Sequence, residues 1–155
     1  MKKDLTHLIK RERAPEGFES LDSAKEYLAR YLLNYINIEL GGLPREEWGK
    51  TLETWAKICA FSKGLINKSE EERQKLYEKF GFDMVMQGIA EDIRQTLIGM
   101  LSLGILKDNE PPYMLLLKAS ELVKDEKELL QKWEVEPERV EFIYEFFSSK
   151  LKGGK

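Results

Sequence analysis

Apolar residues recur at intervals of three and four along nearly the whole chain, with polar residues between them. This is the period of an α-helix, whereas a half-buried strand would alternate strictly between turn residues. The first clear helix covers residues 23–40. Its inward face holds Ala24, Tyr27, Leu28, Tyr31, Leu32 and Tyr35. We expect Ser20 or Asp22 to cap its start and Gly41-Gly42 to end it in a left-handed conformation.

Capping residues and turn formers mark the second and third helices. The second starts with Pro44, which the first turn of a helix tolerates, and runs to about Ile66. Its inward face is predicted to hold Trp48, Leu52, Trp55, Cys59 and Ser62. Ser69 and Glu72 form a capping box that opens a short third helix, and Gly81 stands just past its end.

The longest predicted helix covers residues 84–106, with Asp83 as its N-cap. Its apolar face predicts a central position in the fold. Pro111-Pro112 then breaks the pattern, because proline lacks a backbone donor and restricts the residue before it. Residues 113–133 form one helix or two, and a last helix covers residues 137–151.

These elements predict an all-α protein, a single compact bundle of five to seven helices. A chain of 155 residues, 42% of them hydrophobic, has enough apolar side chains for one core and is expected to form one domain. We divide it into a basic N-terminal arm and linker (1–17), a helical domain (18–151) and a frayed basic tail (152–155).

The composition excludes several classes of protein. A single cysteine, Cys59, excludes an intrachain disulfide framework and fits a reducing compartment, so we expect a cytoplasmic protein. The longest stretch without charged residues, 95–106, is too short to span a membrane. Charged residues make up 34% of the chain and are rich in Lys and Glu, as is typical of hyperthermophile proteins.

Residues suited to catalysis are scarce. The one histidine, His7, lies in the N-terminal arm, and Cys59 stands among apolar residues that predict an inert thiol. Glu91-Asp92 on the fourth helix is a place to look for a metal ion, but the di-iron pattern needs a histidine three residues after a glutamate, and the chain has none. We therefore predict no catalytic residues, no metal site and no cofactor.

The fourth helix also has a polar stripe at helical spacing. It consists of Gln87, Glu91, Arg94 and Gln95. Our first interpretation of this stripe is a solvated face, and our second is a hydrogen-bonded interface. The two interpretations differ in whether another element covers the stripe.

Charge is distributed unevenly along the chain. The net charge is −3, but residues 1–13 and residues 150–155 each have +3, which leaves −9 on the body. An acidic body repels phosphate, whereas basic ends brought together by folding can clasp a nucleic-acid backbone. The alternative is that both ends are solubilising tails. The candidate nucleic-acid residues are Lys2, Lys3, Lys10, Arg11, Arg13, Arg139, Lys150 and Lys152.

The N-terminal arm has an apolar edge as well as basic residues. Leu5, Leu8 and Ile9 are spaced so that a short helix would place them together. Such a segment can dock in a groove of a partner or of a second copy, or pack back on its own bundle. We therefore count these three residues as interface candidates.

The last helix has more apolar surface than one inward face uses. Its first face holds Val140, Ile143, Tyr144 and Phe147. Phe142 and Phe146 fall on a second face, which either lies inside the bundle or is covered by another chain. Because aromatic residues often anchor protein interfaces, we predict association through Phe142 and Phe146.

Residues 128–147 resemble the helix-turn-helix motif. Its core positions are occupied by Leu129, Trp133, Val135 and Val140. The sequence departs from the motif at Glu134, where glycine is usual, and at Leu130, where a small residue is usual. The resemblance implies DNA binding through the second helix, but that helix has the carboxylates of Glu138, Glu141 and Glu145, which oppose it.

These features favour a non-catalytic helical protein-interaction module, a small subunit or homo-oligomeric adaptor of a larger intracellular assembly. The alternative is a nucleic-acid-binding protein that uses the basic termini and residues 128–147. An enzyme is the third hypothesis. The expected partner is a second copy or another protein subunit, with nucleic acid as a weak partner and no membrane.

Overall fold

The structure, a computed structural model, describes residues 20–153. In this part of the chain there are seven helices and no strand, which confirms the predicted all-α bundle. A 3-10 turn, Arg45–Glu47, precedes the second helix. The helices are α1 (α-helical Leu21–Tyr27, π-helical Leu28–Leu33 and α-helical Asn34–Gly41), α2 (Trp48–Lys63), α3 (Glu70–Lys79), α4 (Met84–Ser102), α5 (Met114–Val123), α6 (Lys127–Lys132) and α7 (Pro137–Lys152).

Predicted capping residues begin three of these helices. Ser20 caps α1 and Ser69 caps α3, each in a capping box whose reciprocal partner is Ser23 or Glu72. Asp83 caps α4 by accepting a hydrogen bond of 2.9 Å from a backbone N–H in the first turn. These starts were predictable because a cap is made by residues close together in the sequence.

Helix ends differ from the prediction in three helices, and one of these is α2, which ends at Lys63 and not at about Ile66. Gly81 and Gly104 have φ values of 72° and 77°, so each ends a helix in the left-handed conformation that glycine adopts without strain. Gly104 therefore ends α4 at Ser102, earlier than predicted. The predicted left-handed ending at Gly41-Gly42 is wrong, because Gly42 has a φ of −95° and Gly41 is still helical.

The region after the two prolines forms two helices, α5 and α6, which was one of the two interpretations. α6 begins after Glu126, which is its N-cap. Pro137 begins α7 as predicted, in the first helical position where its missing N–H costs nothing.

The core lies between α1 and two helix pairs. α5 and α7 are antiparallel, since Tyr113 stacks on Phe147 at 5.6 Å while Lys124, at the other end of α5, lies 5.2 Å from the Tyr144 ring. α2 packs along α4. Because α1 contacts α4, α5 and α7, it joins the two pairs and shares the central position predicted for α4.

The middle of α1 is a π-helix, which the sequence pattern does not predict. The Asn34 N–H donates to the carbonyl of Ala29, five residues earlier. The wider turn places adjacent apolar residues on one face. The buried residues of this segment are Leu28, Ala29, Leu32 and Leu33. Tyr31, which was predicted to face inward, is half-buried.

The polar stripe on α4 is covered, so our first interpretation of it as a solvated face is wrong. Arg94 is buried, and Glu91 is mostly buried. Helix α3 lies over the stripe, with Arg73 bonded to Glu91 at 2.7 Å. The second interpretation, a hydrogen-bonded interface that faces another subunit, is right about the hydrogen bonds only, because the covering helix α3 belongs to this chain.

Candidate functional site

Phe142 and Phe146, the two predicted interface residues of the last helix, line an open groove. Both rings are half-buried and lie where α7 passes the first half of α2. The groove has a volume of about 560 Å³. Its lining residues are Glu53, Phe142, Glu145, Phe146, Ser149 and Lys150.

The two rings are held in place by other aromatic side chains and by a glycine. Phe142 meets Trp48 edge to face at 5.1 Å, and Phe146 stacks on Phe142 at 6.4 Å. Gly49 admits Phe146, because a Cβ atom at Gly49 would lie 3.2 Å from the ring. The apolar surface is therefore already formed in the single chain.

Two ion pairs border the groove. The Arg45 guanidinium lies 5.1 Å from the Phe142 ring and bonds to Glu138 at 2.5 Å. Lys150, a nucleic-acid candidate, bonds to Glu53 at 3.0 Å across the other end of the groove. Both cations are therefore already matched by carboxylates of the same chain.

Further carboxylates along α7 are unmatched. Glu141 and Glu145 are exposed and lie one helical turn apart beside the phenylalanines. Neither has an ion-pair partner among residues 20–153. The edge of the groove is therefore acidic.

Two other predicted site residues that the structure describes, Arg139 and Lys152, are not among the residues that line this groove. Lys152 is exposed at the last position of α7, and Arg139 lies at the opposite end of that helix. The structure brings Phe142, Phe146 and Lys150 together. Eight candidates lie outside the described residues: Leu5, Leu8, Ile9, Lys2, Lys3, Lys10, Arg11 and Arg13.

Arg139 is engaged with α1 at the turn between α6 and α7. Its Nη1 donates to the backbone carbonyl and to Oδ1 of Asn37, at 3.1 and 3.0 Å. The guanidinium packs against Gly41, where a Cβ atom would lie 2.8 Å from Nη1. Asn37 Nδ2 donates in turn to the carbonyl of Glu134 at 3.1 Å. Asn37 thus holds the turn on α1, and a role of Arg139 in nucleic-acid binding stays a prediction.

Glu134 occupies the turn position at which the helix-turn-helix motif has glycine. Its φ is 57°, a left-handed conformation. The N–H groups of Glu134 and Val135 donate to the carbonyls of Gln131 and Leu130, at 3.1 and 2.8 Å. This is the Schellman pattern that glycine usually makes at a helix end. The glutamate therefore does not change the path of the turn.

Trp133 and Val135 differ in their positions at this turn. Val135 is buried, as the motif requires. Trp133 is half-buried and packs on α1: its indole N–H donates to Glu26 at 2.9 Å, and Arg30 lies 4.6 Å over the ring. Trp133 therefore packs against the core as a partly buried residue at its edge, where it also contacts α1.

Sequence reasoning missed a polar cluster between α3 and α4. Glu91 Oε2 accepts hydrogen bonds from Arg73 Nε at 2.7 Å and from the Tyr77 hydroxyl at 2.5 Å. Glu91 Oε1 accepts from Arg94 Nη2 at 3.0 Å. The signal available in the sequence was the spacing: Arg73 and Tyr77 share one helix face, as do Glu91 and Arg94.

The protonation of this cluster and of Cys59 is fixed at neutral pH. Burial would raise the pKa of Glu91, but the hydrogen bonds from Tyr77 and Arg73 and the charge of Arg94 outweigh it and lower that pKa. Burial, helped by the Glu91 carboxylate, raises the pKa of Tyr77. Burial raises the pKa of the Cys59 thiol to about 12, so the thiol is inert, as predicted. None of these three groups exchanges protons near pH 7.

Two further features of residues 20–153 bear on function. They contain no group of three or more His, Cys, Asp or Glu side chains placed to hold a metal ion. Asp92, beside Glu91 in the sequence, accepts a hydrogen bond from the Tyr35 hydroxyl at 2.8 Å. No helix within the same range combines the length and the apolar character needed to cross a membrane.

Comparison with known proteins identifies a relative in Aquifex aeolicus (strain VF5), which is described as an uncharacterized protein. The two sequences are 49% identical over 146 residues, which cover 94% of this chain and 97% of the relative. The chain belongs to the family of this Aquifex protein. A relative in a thermophile fits the charged composition. No protein-family model and no solved structure matches the chain.

Proposed function

We propose that this protein is a non-catalytic helical interaction module that acts as a small subunit or homo-oligomeric adaptor of an intracellular assembly. The observation that carries this proposal is the groove where the half-buried rings of Phe142 and Phe146 form an aromatic surface with an acidic edge. Interfaces typically have an aromatic centre and a polar rim. The groove has both parts.

The shape of the groove favours a narrow partner segment. A helix or extended segment fits a channel between two helices, with its apolar side chains on the phenylalanine rings. The rings are already fixed by Trp48 and Gly49, so binding orders few side chains of this protein. Binding therefore loses little side-chain entropy in this protein, which favours a stable contact.

The acid-base state of the described residues supports a non-catalytic role. A general acid or base works best when its pKa lies near the working pH. Glu91 has a lowered pKa, and Tyr77 and Cys59 have raised ones. These buried groups stabilise the fold and are not poised to transfer protons.

Blocking the groove tests the proposal. Ser149 is exposed at its edge, so Ser149→Arg places a long side chain over the rings without disturbing the core. We expect the wild type to associate with itself or with a stoichiometric subunit from its source, and Ser149→Arg to abolish this while its helical circular dichroism at 25 °C is unchanged. Glu71→Arg, on the exposed surface of α3, is the matched control.

Sedimentation velocity and the native mass of the purified complex measure the association. A wild type that is monomeric and is isolated alone from its source contradicts the proposal. So does an association that Ser149→Arg leaves unchanged, because another surface would then be responsible.

The nucleic-acid alternative has one observation in its favour, which is the helix-turn-helix-like turn at Glu134. Exposed Glu138 and Glu141 oppose phosphate there, and Arg139 already bonds to Asn37. The alternative predicts weak binding to duplex or single-stranded nucleic acid that falls steeply with salt. Removing residues 1–13 should flatten this salt dependence. No binding at low salt eliminates the alternative.

A further inference from the structure

We infer that the groove at Phe142 and Phe146 binds residues 1–13 of a second copy of this chain. This inference deepens the proposed function and rests on it, since it names both the partner and the binding segment. Its basis is the match between an acidic aromatic groove in the structure and a basic apolar segment in the sequence.

The charges of the two surfaces are complementary. Glu145 lines the groove and Glu141 lies one helical turn before it on α7, and neither has an ion-pair partner among residues 20–153. Residues 1–13 have five basic side chains and two acidic ones. A basic segment placed along α7 gives these carboxylates the cations that the described residues do not supply, and complementary charge sets register and partner choice.

The apolar residues of the two surfaces also correspond. Leu5, Leu8 and Ile9 stand at helical spacing, with Lys10 and Arg11 following directly. The rings of Phe142 and Phe146 offer an apolar strip beside the glutamates. A segment with an apolar edge and adjacent bases satisfies both parts of the groove at once.

The path of the chain favours a second copy over the same chain. Lys25, early in α1, bonds to Glu126 at the start of α6 at 2.8 Å, close to the end of α5, which lies against Tyr144 of α7. Phe142 is two residues from Tyr144, so about 200° separates them around α7. Residues 14–19 span about 20 Å when extended. The start of α1 therefore lies on the side of α7 away from the groove, and this position favours the arm of a second copy as the occupant.

If each copy binds the arm of the other, the assembly is complete as a dimer. Each copy offers one arm and one groove, so two copies satisfy each other and leave neither element open. The expected native mass is twice the 18.1 kDa of the single chain.

A complementation experiment separates this inference from the proposed function. One variant lacks residues 1–13 and keeps the groove, and the other has Glu141→Lys with Glu145→Lys and keeps the arm. We expect the wild type to be a dimer, each variant alone to be a monomer, and an equimolar mixture to form a heterodimer held by one arm. Sedimentation velocity on the full-length chains and the truncated chain gives these masses.

Exchanging the charges of the two surfaces provides a second experiment. Lys10→Glu with Arg11→Glu should weaken the dimer roughly tenfold or more. Combining these changes with Glu141→Lys and Glu145→Lys in one chain should restore it. Restoration cannot come from misfolding. The matched control, Glu71→Lys with Glu78→Lys on the exposed face of α3, should leave the dimer unchanged.

Each contrary result has a distinct meaning. A dimer that survives removal of residues 1–13 overturns the arm exchange but leaves the interaction module standing. A monomeric wild type whose groove becomes more reactive to a surface label after arm removal overturns it in favour of docking within one chain. A monomeric wild type that binds a different subunit through the groove also overturns it, with the proposed function intact.

Discussion

At the scale of single residues, Glu134 has a backbone conformation that suits glycine. A left-handed conformation costs an ordinary residue about 1–2 kcal/mol, and glycine avoids this cost. Glycine also loses more backbone entropy on folding, which cancels about 0.5–1 kcal/mol of that stabilisation. We therefore expect Glu134→Gly to raise the free energy of unfolding by about 0.5–1 kcal/mol. Its hydrogen bond to Asn37 uses the backbone carbonyl and is kept.

Urea unfolding of two glycine variants checks this expectation. Gln131→Gly, in the helical part of α6, should lower the free energy of unfolding by about 1 kcal/mol, because glycine is a poor helix former. Opposite signs at the two positions support the argument. A loss of stability at both positions would show that the Glu134 side chain contributes more than its backbone costs.

Glu91 is the residue whose loss should cost most outside the apolar core. Its side chain is 18% exposed and accepts hydrogen bonds from Arg73, Tyr77 and Arg94. Glu91→Gln leaves two guanidinium groups without a counter-charge in a mostly buried site. We expect the free energy of unfolding to fall by about 3 kcal/mol.

The control for Glu91→Gln is a substitution in a solvent-exposed ion pair of the same chain. Arg45 and Glu138 have side chains that are 56% and 71% exposed. Glu138→Gln should therefore change the free energy of unfolding by less than about 1 kcal/mol. Equal effects of the two substitutions in thermal or urea unfolding would show that burial does not strengthen the Glu91 cluster.

At the scale of elements, α3 depends on this polar cluster because it has little apolar surface. Tyr77 is the buried residue of α3, and it packs with Phe61 and Phe82 in a small cluster beside the main core. Phe80, the residue that follows the last turn of α3, is exposed. α3 should therefore be the first helix of the described residues to detach from the bundle.

Acid should release α3 through Glu91. The folded-state pKa of Glu91 lies below its ordinary value of 4.5, so its stabilising contribution is complete above about pH 4.5 and is lost as the pH falls through the folded-state value. We expect amide protection factors in α3 to fall below about pH 4.5 before those in α7 do. Hydrogen exchange followed by mass spectrometry measures both helices in one sample.

Glu91→Gln should remove this acid step. The variant has no carboxylate to protonate at this position, so its α3 should be weakly protected at every pH. If α3 of the wild type stays protected to the same pH as α7, the carboxylate of Glu91 does not hold this helix.

At the scale of the whole molecule, association should appear as a concentration dependence of thermal stability. Binding that occurs only in the folded state stabilises that state by mass action. The melting temperature of the wild type should rise with protein concentration, and that of the chain without residues 1–13 should not. Calorimetry over a wide concentration range measures both, and a constant wild-type melting temperature contradicts self-association.

The sequence alone determined the number of helices and most of their starts. The capping box at Ser69, the break at Pro111-Pro112 and the start of α7 at Pro137 were predicted, and Ser20 was one of the two caps considered for α1. The inward face of α2 was also predicted residue by residue, and all five of its residues are buried. These features are readable because caps and helical periodicity depend on residues within one or two turns of each other.

Only the tertiary structure decided which helix covers which face. Arg73 reaches Glu91 across 18 positions of sequence, and Arg139 reaches Asn37 across 102. A polar stripe such as the one on α4 has the same pattern whether water or a second helix lies over it, so its burial could not be read from the sequence. The sequence predicted that Phe142 and Phe146 share a second face of the helix, but it could not predict the groove, because the groove also needs Trp48, Gly49 and Glu53 from a distant helix. Periodicity shows which side chains share a face, and packing determines what that face meets.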